Sequence, residues 1–283
     1  MFAEVNGVKL FYQMIGSGPP LMLMHGGLGA DHSSYLPQFL EIADQWTLIL
    51  YDHRGNGLSR PIEWEGVTHD TWAADADALR EHLGYEKMSL LGHSYGGFLA
   101  QEYAARYPER LEALVLLCTA PAWDYGDIIQ ANARARARTP EAIAAVDEAL
   151  SDEPVAEDAD FRRILKALAP LYFHRPEEFP EHVASFLADT VFSAAAWNHC
   201  SQVCLPEFNV MDELPKIHVP TLILSGADDW ITPAEQGKRI HEAMPHSELV
   251  IFEKSGHVPN IEEQELFFKA LREWLSRHSL SAE

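Results

Sequence analysis

The stretch LLGHSYGGF, residues 90–98, constrains the fold more than any other part of the chain. An apolar run, MSLL, precedes it, and AQEYAARYPER follows with helical character. Gly92-His93-Ser94-Tyr95-Gly96 therefore sets G-x-S-x-G where a strand meets a helix. The requirement is steric. A serine raised on so sharp a turn has a strained backbone, and a bulky side chain two residues away on either side collides with it. The helix that follows turns its free N–H groups and the positive end of its dipole toward the serine, which favours developing negative charge. The alternative is a chance match in a βα turn; the strand–helix context selects Ser94 as a nucleophile.

The surrounding pattern is that of an α/β protein. FAEV and VKLFYQM flank Asn6-Gly7 and read as a β-hairpin. LMLM (21–24), TLILYD (47–52), MSLLG, LEALVLLC (111–118), VPTLILSG (219–226) and ELVIFE (248–253) are short apolar runs suited to buried strands. Helical spacing marks residues 69–83, the segment after Ser94, a stretch near 234–244 and the closing IEEQELFFKALREWLSRH. Strands alternating with helices through short glycine loops predict a mostly parallel sheet covered on both faces. The alternation stops after Pro121. Residues 122–210 contain EAIAAVDEAL, FRRILKALAPLYF and EHVASFLADTVF and read as an all-helical insertion. The predicted organisation is a core of residues 1–121 and 211–283, with a helical cap over 122–210.

Composition removes several classes of function. With 21 basic against 43 acidic residues the net charge is −22, the wrong sign for a phosphate backbone, so no nucleic-acid partner is expected. The ARARAR run at 133–138 is short and reads as a solvated helix face. No apolar run approaches about 18 residues, so no membrane span is expected. The N-terminus lacks the basic and apolar pattern of a signal peptide. Three cysteines form no disulfide framework and point to the reducing cytoplasm. Cys200 and Cys204 beside His199 lack a second cluster with ligand spacing, so no metal is expected.

A serine hydroxyl needs a base, and the base an orienting acid. In this strand–turn–helix context the chain order is serine, acid, histidine. FEKSGHVPNIEE supplies His257 in a loop after the last strand, and the loop after VPTLILSG offers Asp228 and Asp229. Asp229 is preferred because related loops keep three residues between acid and proline, here Pro233. The loop after LMLM is His25-Gly26-Gly27-Leu28-Gly29. Its glycines let backbone approach a substrate oxygen. Gly27, with Leu28 as runner-up, and Tyr95 are the candidate oxyanion donors. His25 and His93 read as structural.

HGGLG, the segment Asp52-His53-Arg54-Gly55-Asn56-Gly57, GHSYGG, the Asp229 loop and SGHVPN together resemble the α/β-hydrolase superfamily. The resemblance covers residues 1–121 and about 211–283. It implies an eight-stranded, mostly parallel sheet with a helical cap inserted after the sixth strand, and a loop pinned by Asp52 and Arg54. Ser94 stands where dehalogenases and epoxide hydrolases of the superfamily carry aspartate. HGGLG and YDHRGNGLSRP are similar both to carboxylesterases and lactonases and to proline iminopeptidase-like peptidases. Tyr95 and Leu28 depart from the tryptophan and proline typical of the iminopeptidases.

The expected activity is a cofactor-free serine hydrolase acting on a small carboxylic ester or lactone. The alternative is a proline iminopeptidase-like aminopeptidase; further alternatives are an acyl-homoserine-lactone-type lactonase, a cofactor-free lyase or oxygenase, and a receptor with an idle triad. Substrate contacts are expected from Leu28, Trp123, Phe192, Trp197, His199 and Trp230, with Tyr125, Tyr172 and Phe173 as further aromatic candidates. Glu207 or Asp212 would hold the free amine that an aminopeptidase must bind.

Overall fold

The computed structural model describes residues 1–278. Eight strands form one sheet: β1 (Phe2–Val5), β2 (Val8–Ile15), β3 (Pro20–Met24), β4 (Thr47–Tyr51), β5 (Met88–His93), β6 (Leu111–Leu117), β7 (Thr221–Gly226) and β8 (Glu248–Phe252), in the order β1-β2-β4-β3-β5-β6-β7-β8. β2 runs antiparallel to both of its neighbours, and every pairing from β4 to β8 is parallel. The predicted fold class and strand count hold. Asn6, at φ 46°, and Gly7, at φ 75°, turn the β1–β2 hairpin as their dipeptide signal implied.

Alternation along the central strands builds a core on each face. Met22 and Met24 of β3 and Leu114 and Leu116 of β6 face one side, where α1 (His69–His82), α2 (Tyr95–Arg106) and the helix at Ala234–Ala243 bring Trp72, Leu79, Leu99 and Ile240. Leu21, Leu23, Val115 and Leu117 face the other, against Phe39, Phe267, Leu271 and Trp274. Central strands buried on both faces must be apolar throughout, which is why LMLM and TLILY read as continuous runs and not alternating ones.

Between β6 and β7 the chain runs through α3 (Gly126–Arg136), α4 (Pro140–Ala149), α5 (Asp158–Leu168), α6 (Pro180–Ser185) and α7 (Ala194–His199). Its two ends meet: Ala122 and Asn209 form an antiparallel bridge, Trp123 N–H donates to Phe208 (3.0 Å) and Val210 N–H to Pro121 (2.9 Å). Thr139 caps α4 through Ala142 N–H, and Ser193 caps α7 through Ala196 N–H. After β7 come α8 (Ala234–Ala243), α9 (Pro259–Glu262) and α10 (Gln264–His278).

Three sequence expectations change. EHVASFLADTVF is helical only to Ser185; Leu187 adopts φ 56° and the chain runs irregularly to Ser193. The closing helix is divided at Glu263, whose carboxylate accepts from Lys254 N–H and Ser255 Oγ–H and so ties the helix start to the β8 loop. In the ARARAR run, Arg136 is no solvated side chain. It pairs with Asp228 (2.8 Å) and donates to the Phe173 carbonyl (2.6 Å), joining α3 to the loop after β7.

The turn between β5 and α2 depends on missing side chains. A Cβ on Gly92 would lie 2.3 Å from the Gly96 carbonyl oxygen, and one on Gly96 would lie 2.0 Å from that of Met24. Gly96→Ala is therefore expected to cost about 3 kcal/mol or more, as backbone cannot yield cheaply. Gly66→Ala, at φ 74° with open space around it, is expected to cost about 1 kcal/mol. Urea unfolding of the two variants checks the contrast.

Candidate active site

Ser94 tops the β5–α2 turn with φ 55° and ψ −121°, a backbone conformation rarely adopted by a residue with a side chain. The packing described above holds it there, together with Ser94 N–H donating to Leu117 (2.9 Å) and Thr119 Oγ–H to the Ser94 carbonyl (2.8 Å). Ser94 Oγ makes no hydrogen bond among the described residues. It lines a cavity of about 940 Å³ that His257 also lines.

His257 is 2% exposed. Its Nδ1–H donates to Asp229 Oδ2 at 2.7 Å, its backbone N–H donates to Tyr172 (2.8 Å), and His93 Nε2–H donates to its carbonyl (3.1 Å). Asp229 is buried, and burial alone pushes its pKa up. The His257 charge and hydrogen bond, then Thr232 N–H and hydroxyl, outweigh burial and hold the carboxyl below its ordinary value. Ile231 N–H (3.0 Å), Thr232 N–H (3.0 Å) and Thr232 Oγ–H (2.7 Å) are the donors that accompany His257. Asp228 is turned the other way, half-exposed, onto Arg136 and His174. The geometry thus separates the two aspartates that the sequence left in competition.

The loop after β3 arrives beside Ser94: a Cβ on Gly26 would lie 2.9 Å from Ser94 Cβ. Gly27 (φ 71°) and Leu28 line the cavity, and the N–H groups of Gly27, Leu28 and Tyr95 meet no acceptor among the described residues. His25, fully buried, fixes this loop. Its Nε2 accepts from His53 N–H (3.2 Å), which leaves the proton on Nδ1 to donate to the Gly26 carbonyl (3.0 Å). His53 Nε2–H returns a bond to the His25 carbonyl (3.1 Å). Burial lowers the pKa of both rings, so both are neutral. Asp52 pins the next loop through Leu58 N–H and His32, while Arg54 reaches away to Asp75 of α1.

Among the expected substrate contacts, Leu28, Trp123, Trp197 and Trp230 line the cavity, as do Tyr125 and Tyr172. Phe192, His199 and Phe173 do not, and these expectations are corrected. Phe192 is buried against Phe161, under the Arg162 guanidinium. His199 lies against Trp64 and donates Nε2–H to the Val67 carbonyl (2.7 Å), which Cys204 Sγ also approaches (3.8 Å). Phe173 packs among Phe179 and Phe186. Glu207 and Asp212 are exposed and off the cavity, so neither is placed to hold an amine there.

Sequence reasoning missed four neighbours of the site. Thr232, three residues after Asp229, braces the carboxylate and lies 3.3 Å from His257 Nδ1. The D-x-x-T-P spacing is its only signal. Cys118, at the end of β6 with φ 44°, brings its thiol beside Asp229 and His257. Burial, then the Asp229 charge, push that thiol well above its ordinary pKa. His69 Nε2 accepts from the Tyr95 hydroxyl (3.0 Å), anchoring the residue after Ser94. Asp31 is the fourth.

Residues 19–264 match the model of the alpha/beta hydrolase fold. The chain belongs to the α/β-hydrolase family. Within it, the chain is 32% identical to a proline iminopeptidase of Lactobacillus helveticus over 288 residues, covering 96% of each. It is 31% identical to one of Clostridium botulinum, covering 95% of each. Its structure is similar to an esterase from Exiguobacterium antarcticum, with a TM-score of 0.77, 25% identity, and 98% and 99% of the two chains covered. Family and relatives make the protein a hydrolase. No helix among the described residues is long and apolar enough to cross a membrane.

The buried imidazoles make stability depend on pH. Burial lowers the pKa of His69 to about 4, with the Arg106 charge adding to it. The unfolded state therefore binds a proton between about pH 6.5 and 4 that the folded state refuses. The stability that His69 contributes is full above pH 6.5 and is lost as pH falls through 4. In His69→Gln the slope of unfolding free energy against pH over that window is expected to drop by about 1.4 kcal/mol per pH unit, one proton's worth. Urea titrations from pH 7 to pH 4 check it.

Proposed function

We propose that the protein is a cofactor-free serine hydrolase working through an acyl-enzyme. The observation that carries this reading is the buried Asp229–His257 hydrogen bond ending in the same cavity as Ser94 on its strained turn. Ser94 Oγ attacks the scissile carbonyl while His257 takes its proton. Asp229 keeps that proton-accepting nitrogen, Nε2, facing the cavity and stabilises the imidazolium that forms. The unpaired N–H of Tyr95 and that of Gly27 or Leu28 hold the oxyanion. His257 gives the proton to the leaving group, then activates the water that releases the acid. The three unpaired cysteines fit a cytoplasmic setting.

For the substrate, two proline iminopeptidases at 31–32% identity over nearly the whole chain support removal of an N-terminal residue, proline first, from a small peptide. The bond broken is then an amide and the leaving group an amine. The residues at 122–210 form the cap in this reading and supply much of the wall, including Trp123, Tyr125 and Trp197.

A second reading, hydrolysis of a small ester or lactone, is favoured by the cavity itself. The carboxylates that line it are Asp124, Asp127, Asp152 and Asp189, all exposed, and Asp124 is held bidentate by Arg239. Among the described residues no buried carboxylate lines the cavity to receive a substrate ammonium. The similar esterase structure supports the same reading.

Initial rates on L-proline p-nitroanilide and p-nitrophenyl butyrate, run side by side, decide between the two. Turnover of the anilide is expected under the first reading; ester cleavage with an inert anilide transfers the assignment to the second. Under either, Ser94→Ala is expected to lower kcat by about 10⁶-fold and Asp229→Asn by about 10⁴-fold. A wild-type rate that survives Ser94→Ala would overturn both.

A further inference from the structure

A seam joins the loop that carries Gly27 and Leu28 to the segment Thr190–Ser193, far along the chain. Asp31, 2% exposed, sits at its centre. Asp31 Oδ2 accepts from Val191 N–H at 2.8 Å, and Oδ1 accepts from Ser33 N–H at 2.9 Å and from the Ser33 hydroxyl. Ser33 Oγ lies 3.1 Å from Thr190 Oγ. On the other side of Asp31, Ser193 N–H donates to the Gly29 carbonyl at 2.8 Å. The contact is close enough that a Cβ on Gly29 would lie 2.3 Å from the Ser193 carbonyl oxygen. Gly29 N–H is spent on Asn56 Oδ1 (3.0 Å), so the loop is held from its core side as well.

The position of this seam matters more than its strength. Leu187 to Thr190 and Trp197 line one wall of the cavity, and Gly26 to Leu28 line the floor beside Ser94. A substrate that presses on the wall therefore presses on the loop through buried, directional bonds. Backbone N–H groups set their direction by φ and ψ alone, so an amide offered to an oxyanion is only as well aimed as its loop is fixed.

We propose that Asp31 is a positioning residue for catalysis: it couples the inserted segment at Thr190–Ser193 to the loop bearing Gly27 and Leu28, and so aims the oxyanion-binding amide when the wall is occupied. The proposal rests on the serine-hydrolase reading above. Asp31 touches no reacting atom. Its carboxylate supplies acceptors to both sides of the seam, and an amide at the same place cannot accept with both of its atoms.

The test uses Asp31→Asn, with Ser33→Ala as the milder variant. It measures kcat and KM per active site, the sites being counted by covalent labelling with a fluorophosphonate. Expected is a fall in kcat of about 10-fold or more in Asp31→Asn and a smaller fall in Ser33→Ala, with KM within about twofold. Affinity for a boronic acid that mimics the tetrahedral intermediate should weaken in step with kcat/KM. If kcat per labelled site stays at the wild-type value while only the labelled fraction or Tm drops, Asp31 is merely structural and the proposal fails. It fails equally if KM rises and kcat does not change. Failure of the underlying reading looks different: wild-type protein itself then takes no fluorophosphonate label and turns over neither test substrate.

Discussion

Everything at the site hangs on one close approach of backbone to backbone. The first turn of α2 lies so near the end of β3 that no atom fits between Gly96 and the Met24 carbonyl. That contact places the helix start and the end of the strand side by side, and with them Ser94 and the loop beginning at His25. The strain in the Ser94 backbone is supported by the surrounding sheet: β5 is paired on both sides, with β3 and β6, and has no freedom to relax. A fold with a slacker sheet centre would let the serine turn down into the helix.

The second constraint is electrostatic. A carboxylate as deeply buried as Asp229 is costly unless its lone pairs are engaged. Two backbone N–H groups, a hydroxyl and an imidazole engage them, and three of these donors come from the carboxylate's own loop. The Asp229 carboxylate is therefore satisfied largely from its own loop, and His257 adds the fourth donor. His257 arrives from a different loop and is fixed by its backbone bond with Tyr172 and by His93 below it. Orientation and charge are thus set by separate parts of the chain, and Asp228, one residue earlier, serves the inserted segment through Arg136.

The core and the β5–α2 turn were legible in the sequence because each leaves a steric mark. Buried strands require unbroken apolar runs, and the turn requires Gly92 and Gly96. The preference for Asp229 over Asp228 rested on the loop's D-x-x-x-P spacing, and Asp229 is the one that meets His257. The segment between β6 and β7 left no comparable mark. Its helices have no sheet register to fix which side chains face inward, so Phe192, Phe173 and His199 read like cavity aromatics, although Phe192 packs on Phe161, Phe173 on Phe179 and Phe186, and His199 on Trp64. The helical reading of EHVASFLADTVF failed beyond Ser185 because Leu187 turns to φ 56° in a run of local turns, after which Val191 and Ser193 are held by tertiary bonds to Asp31 and Gly29. Asp31 and Val191 stand 160 residues apart. No local pattern announces such a pair.

The three thiols carry a consequence of their own. Burial raises the pKa of Cys118 and Cys200 far above neutrality and that of Cys204 to about 11. None is a thiolate at physiological pH, and thiolate is the reactive form. Cys118 stands next to Asp229 and His257, where a more exposed sulfur would compete for electrophiles that reached Ser94. Kept protonated and enclosed, it is silent. Among the cysteines, then, none offers a thiolate to an electrophile that enters the site.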